Sequence, residues 1–102
     1  MYLFNTTFYI EDGLTDAWMK WLWNVYSPMM QSSGKFTHPL VYRVHSLQGE
    51  EGSSSIAVQF SVQSVEDIAQ WEEEISGRVA QSIQEIFGTK VLYFWTVLEP
   101  LA

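Results

Sequence analysis

Hydrophobic and polar positions alternate in four stretches of this chain and recur at helical spacing in two others. Over YLFNTTFYI, residues 2–10, one side carries Tyr2, Phe4, Thr6, Phe8 and Ile10. The other carries Leu3, Asn5, Thr7 and Tyr9. That period of two predicts a strand with one apolar and one mixed face. Glu11-Asp12-Gly13 then turns the chain. Residues 14–32 read as a helix, with Asp12 or Thr15 as its cap. Trp18, Trp21, Leu22, Val25 and Met29 form a core-facing stripe. Met19, Trp23, Tyr26 and Met30 form a second stripe one position round. Pro28 cannot donate to the Asn24 carbonyl, so a kink is expected there.

A second strand is expected over 39–47, with Leu40, Tyr42 and Val44 on its apolar side and Val41, Arg43, His45 and Leu47 opposite. A polar Gly-Ser loop follows over 48–55, and SIAVQFSVQ, 55–63, is the cleanest alternating strand. Ser64 followed by Asp67 matches the capping-box spacing and opens a second helix. Its stripe is Ile68, Trp71, Ile75, Val79, Ile83 and Ile86, weakened in the middle by Gly77 and ended at Phe87-Gly88. The fourth strand spans 90–99. The order is βαββαβ across one domain, 1–102. It predicts a ferredoxin-like α+β sandwich, with a four-stranded antiparallel sheet and two helices on one face.

VLYFWTVLE, 91–99, is apolar on both of its sides, and two helices cover only one sheet face. The even-numbered side of every strand is the more uniformly apolar and is expected against the helices. The open side would then carry Leu3, Asn5, Thr7, Val41, Arg43, His45, Gln59, Tyr93, Trp95 and Val97, among others. A second copy of the chain, sheet against sheet, is the economical cover, making a homodimeric α/β barrel. The alternative is a monomer with a wet face, since scattered surface apolars are common.

Composition narrows the function classes. The net charge is −7, and the five basic residues Lys20, Lys35, Arg43, Arg78 and Lys90 are scattered, which argues against nucleic acid and anionic membrane surfaces. There is no cysteine, so thiolate chemistry and disulfides are excluded. MYLFNTTFYIED has no basic leader and alternates like a strand, so a cytoplasmic protein is the expectation. Five Trp in a 102-residue chain exceed what one small core readily hides.

FNTTFYIED, W-x-x-W with a later Pro and SSGKF, AVQFSVQSVED and FGTKVLYFWTVLE, in that order, resemble a small bacterial domain of unknown function, DUF 4286. The resemblance covers nearly the whole chain and implies a dimeric barrel of ferredoxin-like subunits, with no assigned activity. Two positions depart from the family pattern. Tyr26 stands where relatives tend to have His before the helical Pro, and Trp95 where they tend to have Arg. Both swaps remove an ionisable group and add aromatic area.

Arg43 and His45, with Asn5, Thr7, Gln59 and Ser61 on adjacent strands, are candidates for acid–base and carboxylate-binding work. The plainer reading places them at a polar rim of the interface. Wider barrels of this kind include cofactor-free monooxygenases, a reading that would use Asn5, Arg43 and His45 around a lumen holding a small aromatic substrate. They also include haem-degrading enzymes. Asn5 and Trp71 resemble residues of that type, but Gln81 stands near the place of its axial His and is a poor iron ligand. His38 and His45 lie seven apart with opposite strand parity, and Glu72, Glu73 and Glu74 fan round a helix, so neither group reads as a metal site. No motif calls for a cofactor. The expected function is a homodimeric binding or interaction module with a small apolar ligand between the facing sheets. The monooxygenase and a non-catalytic structural or regulatory subunit are the alternatives.

Overall fold

The computed structural model describes residues 1–45 and 52–101. Strand β1 spans Tyr2–Glu11, β2 Thr37–Val44, β3 Ser53–Val62 and β4 Val91–Leu98. They form one antiparallel sheet in the order β2-β3-β1-β4. Helices α1 (Thr15–Trp21), α2 (Ser27–Gln31), α3 (Val65–Glu74) and α4 (Ser76–Phe87) connect them. The expected ferredoxin-like plan is what the chain adopts. Leu47 and residues 48–51 of the loop expected over 48–55 lie outside the described residues, and Ser53, Ser54 and Ser55 belong to β3.

The first helical region is interrupted by a π turn, Leu22–Tyr26, between α1 and α2. Pro28 has no N–H for the Asn24 carbonyl, and widening the turn accommodates the missing bond. The π turn also resolves the two competing apolar stripes. Four-residue steps from Trp18 through Leu22 and Tyr26 to Met30 would drift by about 120° on an unbroken α-helix. One inserted residue removes about 100° of that drift. Trp18, Leu22, Tyr26 and Met30 are accordingly all buried. Met19, Val25 and Met29 pack at the core's margin, and Trp23 is exposed. Neither Asp12 nor Thr15 caps α1; Leu14 occupies that place with no side-chain bond.

The helix expected from Ser64 to Phe87 is two helices that break at Ile75, whose φ is −118°, two residues before Gly77. Ser64 does cap the first, its Oγ accepting from the Asp67 N–H at 3.3 Å. Ile68, Trp71, Ile75, Val79, Ile83 and Phe87 are buried, whereas Ile86 is exposed. At Gly88 the chain leaves α4 with φ +60° and ψ −128°, a conformation that side chains with a Cβ resist, and a short 3₁₀ turn leads into β4.

The register decides which sheet face meets the helices. Phe4 pairs with Phe60 and Phe8 with Ile56, so the even residues of β1 and β3 share that face, as expected. On β4 the expectation fails. Phe8 pairs with Tyr93, Thr6 with Trp95 and Phe4 with Val97, so the odd residues lie on the helix side. Trp95 stacks on Phe4 at 5.3 Å and meets Trp71 edge-on at 5.6 Å, while Tyr93 stacks on Phe8 at 5.9 Å. Both sides of β4 are apolar, and the larger rings fill the deeper space. On β2 the expectation fails for another reason. An extra residue between Thr37 and Leu40 makes a bulge, with His38 at φ +55°. The bulge reverses the alternation, so Val41 packs toward the core and Leu40, Tyr42 and Val44 turn outward.

Candidate functional site

The face away from the helices is built row by row from the register. Tyr42, Ala57, Thr7 and Phe94 lie side by side across the four strands. The next row is Leu40, Gln59, Asn5 and Thr96. Outside these lie Val44, Ser55, Tyr9 and Leu92 at one end, and Thr37, Ser61, Leu3 and Leu98 at the other. None of these positions carries a formal charge, although 17% of the chain is charged. The two middle strands provide a low floor, with Thr7 and Ala57 each 8% exposed. The outer strands provide apolar rims, with Tyr42 51% and Phe94 47% exposed. Phe94 leans toward Tyr9, ring centroids 6.0 Å apart. The result is a trough with aromatic walls.

Two side-chain amides sit on its floor. Asn5 and Gln59 are register partners on adjacent strands. Asn5 Nδ2 donates to Thr7 Oγ1 at 3.3 Å, while Asn5 Oδ1 is buried with no hydrogen-bond partner among the described residues. An unpaired buried carbonyl costs about 1–3 kcal/mol.

The structure brings only part of the sequence-predicted set together here. Leu3, Asn5, Thr7 and Gln59 line the trough. Tyr93, Trp95 and Val97 share the helix-side face, where the first two pack against the core. Arg43 pairs with Ile56 and so belongs to that same side, at the exposed edge strand, and His45 is exposed just beyond β2. The bulge at His38 is the cause for both polar residues. Leu40, Tyr42, Val44, Leu92 and Phe94 replace the displaced residues on the open face, where alternation alone had put them inside. The one signal in the sequence for the β2 reversal is the Thr37-His38-Pro39 segment, since Pro disfavours a regular ladder.

A second polar feature lies on the helix side. Tyr26 Oη donates to Thr6 Oγ1 at 3.3 Å, and burial pushes the Tyr26 phenol well above its ordinary range. Burial also raises the Tyr93 phenol. Thr6 pairs in register with Trp95, so Tyr26 and Trp95 both flank Thr6. Here a hydroxyl pair is sealed by aromatic rings. Among the described residues no group of three or more His, Asp or Glu side chains converges as a metal site would need. Among them, too, no helix is long and apolar enough to cross a membrane.

Family comparison agrees with this architecture. Residues 1–101 match the model of a domain of unknown function, DUF4286. The chain belongs to this family. No curated protein matches this DUF4286 chain. Solved structures share its fold, among them three of natural proteins. A protein of the ethyl tert-butyl ether D (EthD) family from Bacillus halodurans is 16% identical with a TM-score of 0.65, over 99% of this chain and all of that one. HapK from Hahella chejuensis is 15% identical with a TM-score of 0.64, over 100% of this chain and 94% of that one. A dimeric ferredoxin-like protein from an uncultured marine organism is 14% identical with a TM-score of 0.64, over 100% of this chain and 96% of that one. At these identities the likeness is one of fold, and the DUF4286 chain shares the ferredoxin-like plan with all three.

Proposed function

We propose that the protein is a homodimeric binding module, in which two open sheet faces close on each other around a small, uncharged ligand. The observation that carries this reading is the trough itself, uncharged throughout, with the small Thr7 and Ala57 at its middle between the exposed rings of Tyr42 and Phe94. Four strands about 4.8 Å apart and eight residues long give a face of roughly 19 × 26 Å. A pair of such faces covers roughly 1,000 Å², the area at which specific interfaces begin. The rims supply the apolar contact, and the lower floor leaves space between the sheets. The solved dimeric ferredoxin-like protein of the same fold supports this reading. The monooxygenase alternative loses Arg43 and His45 from the face and so retains no strong acid or base there among the described residues.

Sedimentation equilibrium tests the reading. The wild-type chain is expected at twice its 11.8 kDa mass at micromolar concentration. Phe94→Asp and Tyr42→Asp, each placing a charge on a rim, are expected to shift it to the monomer with the far-UV dichroism retained. A wild-type monomer, or variants that remain as dimeric as wild type, would overturn the face-to-face model.

A further inference from the structure

We propose that the space between the facing sheets selects a planar, uncharged aromatic molecule bearing an adjacent hydrogen-bond donor and acceptor, a lactam edge, read by the side-chain amides of Asn5 and Gln59. The inference rests on the dimer reading above and adds the chemistry of the ligand. Four observations support it together.

The floor beside the amides is built from the small side chains of Ala57 and Thr7. Tyr42 and Phe94 stand three strands apart on either side of it, about 14 Å from backbone to backbone. A slot of that width, less the rings themselves, admits a flat bicyclic molecule and stacks it against aromatic walls. The lining carries no formal charge. A carboxylate or ammonium group enclosed there would have no counter-charge and would lose its hydration, which excludes ionic ligands. The amides of Asn5 and Gln59 each offer one acceptor and two donor hydrogens, the complement of a lactam or carboxamide edge. Finally, Asn5 Oδ1 is buried and unpaired, and the bond from Asn5 Nδ2 to Thr7 is long at 3.3 Å. Turning the Asn5 amide about its last torsion sacrifices one weak bond and presents the oxygen to an N–H from the ligand, which relieves the existing deficit. A site with unpaired amides discriminates sharply against analogues that lack the matching hydrogen.

The test titrates the full chain with 2-quinolone, which has the lactam edge, with N-methyl-2-quinolone, which lacks the donor, and with quinoline-2-carboxylate, which is charged. Side-chain amide resonances of Asn5 and Gln59 are followed by NMR, and sedimentation reports the oligomer in the same samples. The expected result is saturable shifts of both amides with 2-quinolone, binding at least tenfold weaker for the N-methyl compound, and none for the carboxylate. Gln59→Leu is expected to reduce the preference for the free lactam to under threefold while the dimer persists. A dimer whose amides do not respond, or one that binds all three probes alike, overturns the ligand assignment and leaves the dimer standing. A monomer whose amides respond with the expected preference overturns the dimer and retains the ligand assignment. A monomer without response overturns both.

Discussion

Trp95 and Phe94 are neighbours in sequence with opposite fates, and truncating each in turn measures the strand's orientation. Trp95 makes two aromatic contacts inside the chain, with Phe4 at 5.3 Å and Trp71 at 5.6 Å. Two such pairs contribute about 1–3 kcal/mol beyond area burial. Truncation of the half-buried indole withdraws roughly 100 Å² of apolar contact, worth about 2.5 kcal/mol. Trp95→Ala should therefore cost about 4 kcal/mol, within the range for large-to-small core changes. Phe94 contacts only Tyr9 among the described aromatic pairs, at 6.0 Å, and is 47% exposed. Phe94→Ala should cost the isolated chain about 1 kcal/mol. Urea denaturation followed by far-UV dichroism separates the two. With an m-value near ~1.3 kcal/mol/M, Trp95→Ala lowers the midpoint by about 3 M and Phe94→Ala by under ~1 M in dilute protein. Raising the protein concentration should raise the wild-type and Trp95→Ala midpoints, and that of Phe94→Ala far less, because only Phe94 belongs to the proposed interface. Equal shifts in dilute protein, or a larger one for Phe94→Ala, would refute the orientation given to β4 and with it the composition of the trough.

Gly88→Ala, at φ +60° with open space where a Cβ would stand, should lower stability by about 1–3 kcal/mol from backbone strain alone, read as a drop in thermal midpoint. Burial raises the Tyr26 phenol above its ordinary value of 10.0, so the folded state keeps it neutral while the unfolded chain ionises. Its contribution to stability is complete below pH ~10 and declines as pH rises above that, a slope that Tyr26→Phe should reduce in urea midpoints between pH 8 and 11. The proposed interface carries no formal charge, so the dimer dissociation constant should change by less than about twofold between 0.05 and 0.5 M NaCl, as measured by sedimentation.

Much of the architecture is legible in the sequence, and the reasons are local. β1 and β3 have one face far more apolar than the other, so alternation alone orients them. Ser64 and Asp67 mark a helix start because the cap is chemical, one hydroxyl oxygen and one N–H. The orientation of β4 is not legible, since Val91, Tyr93 and Trp95 compete with Leu92, Phe94 and Leu98 on hydrophobicity, and only the volume available beside Phe4, Phe8 and Trp71 decides between them. On the first helix, Val25 and Met29 were expected toward the core, and the π turn before Pro28 placed Tyr26 and Met30 there instead, leaving those two at the margin. The open face was legible at Asn5, Thr7 and Gln59, which lie on the two well-oriented strands. It was misread at Arg43 and His45, which lie beyond an inserted residue.

That inserted residue has an electrical consequence. In register with β3 beyond the bulge, Arg43 stands beside Ile56 while Tyr42 stands beside Ala57. Were residues 38–40 to pair without the bulge, alternation would run unbroken from Thr37, Arg43 would stand opposite Ser55, and its guanidinium would lie on the open face, exchanging the apolar β2 wall for a cation. The same surface would then attract anions and repel its own copy. A single peptide unit at the margin of the sheet thus keeps the open face electrically neutral.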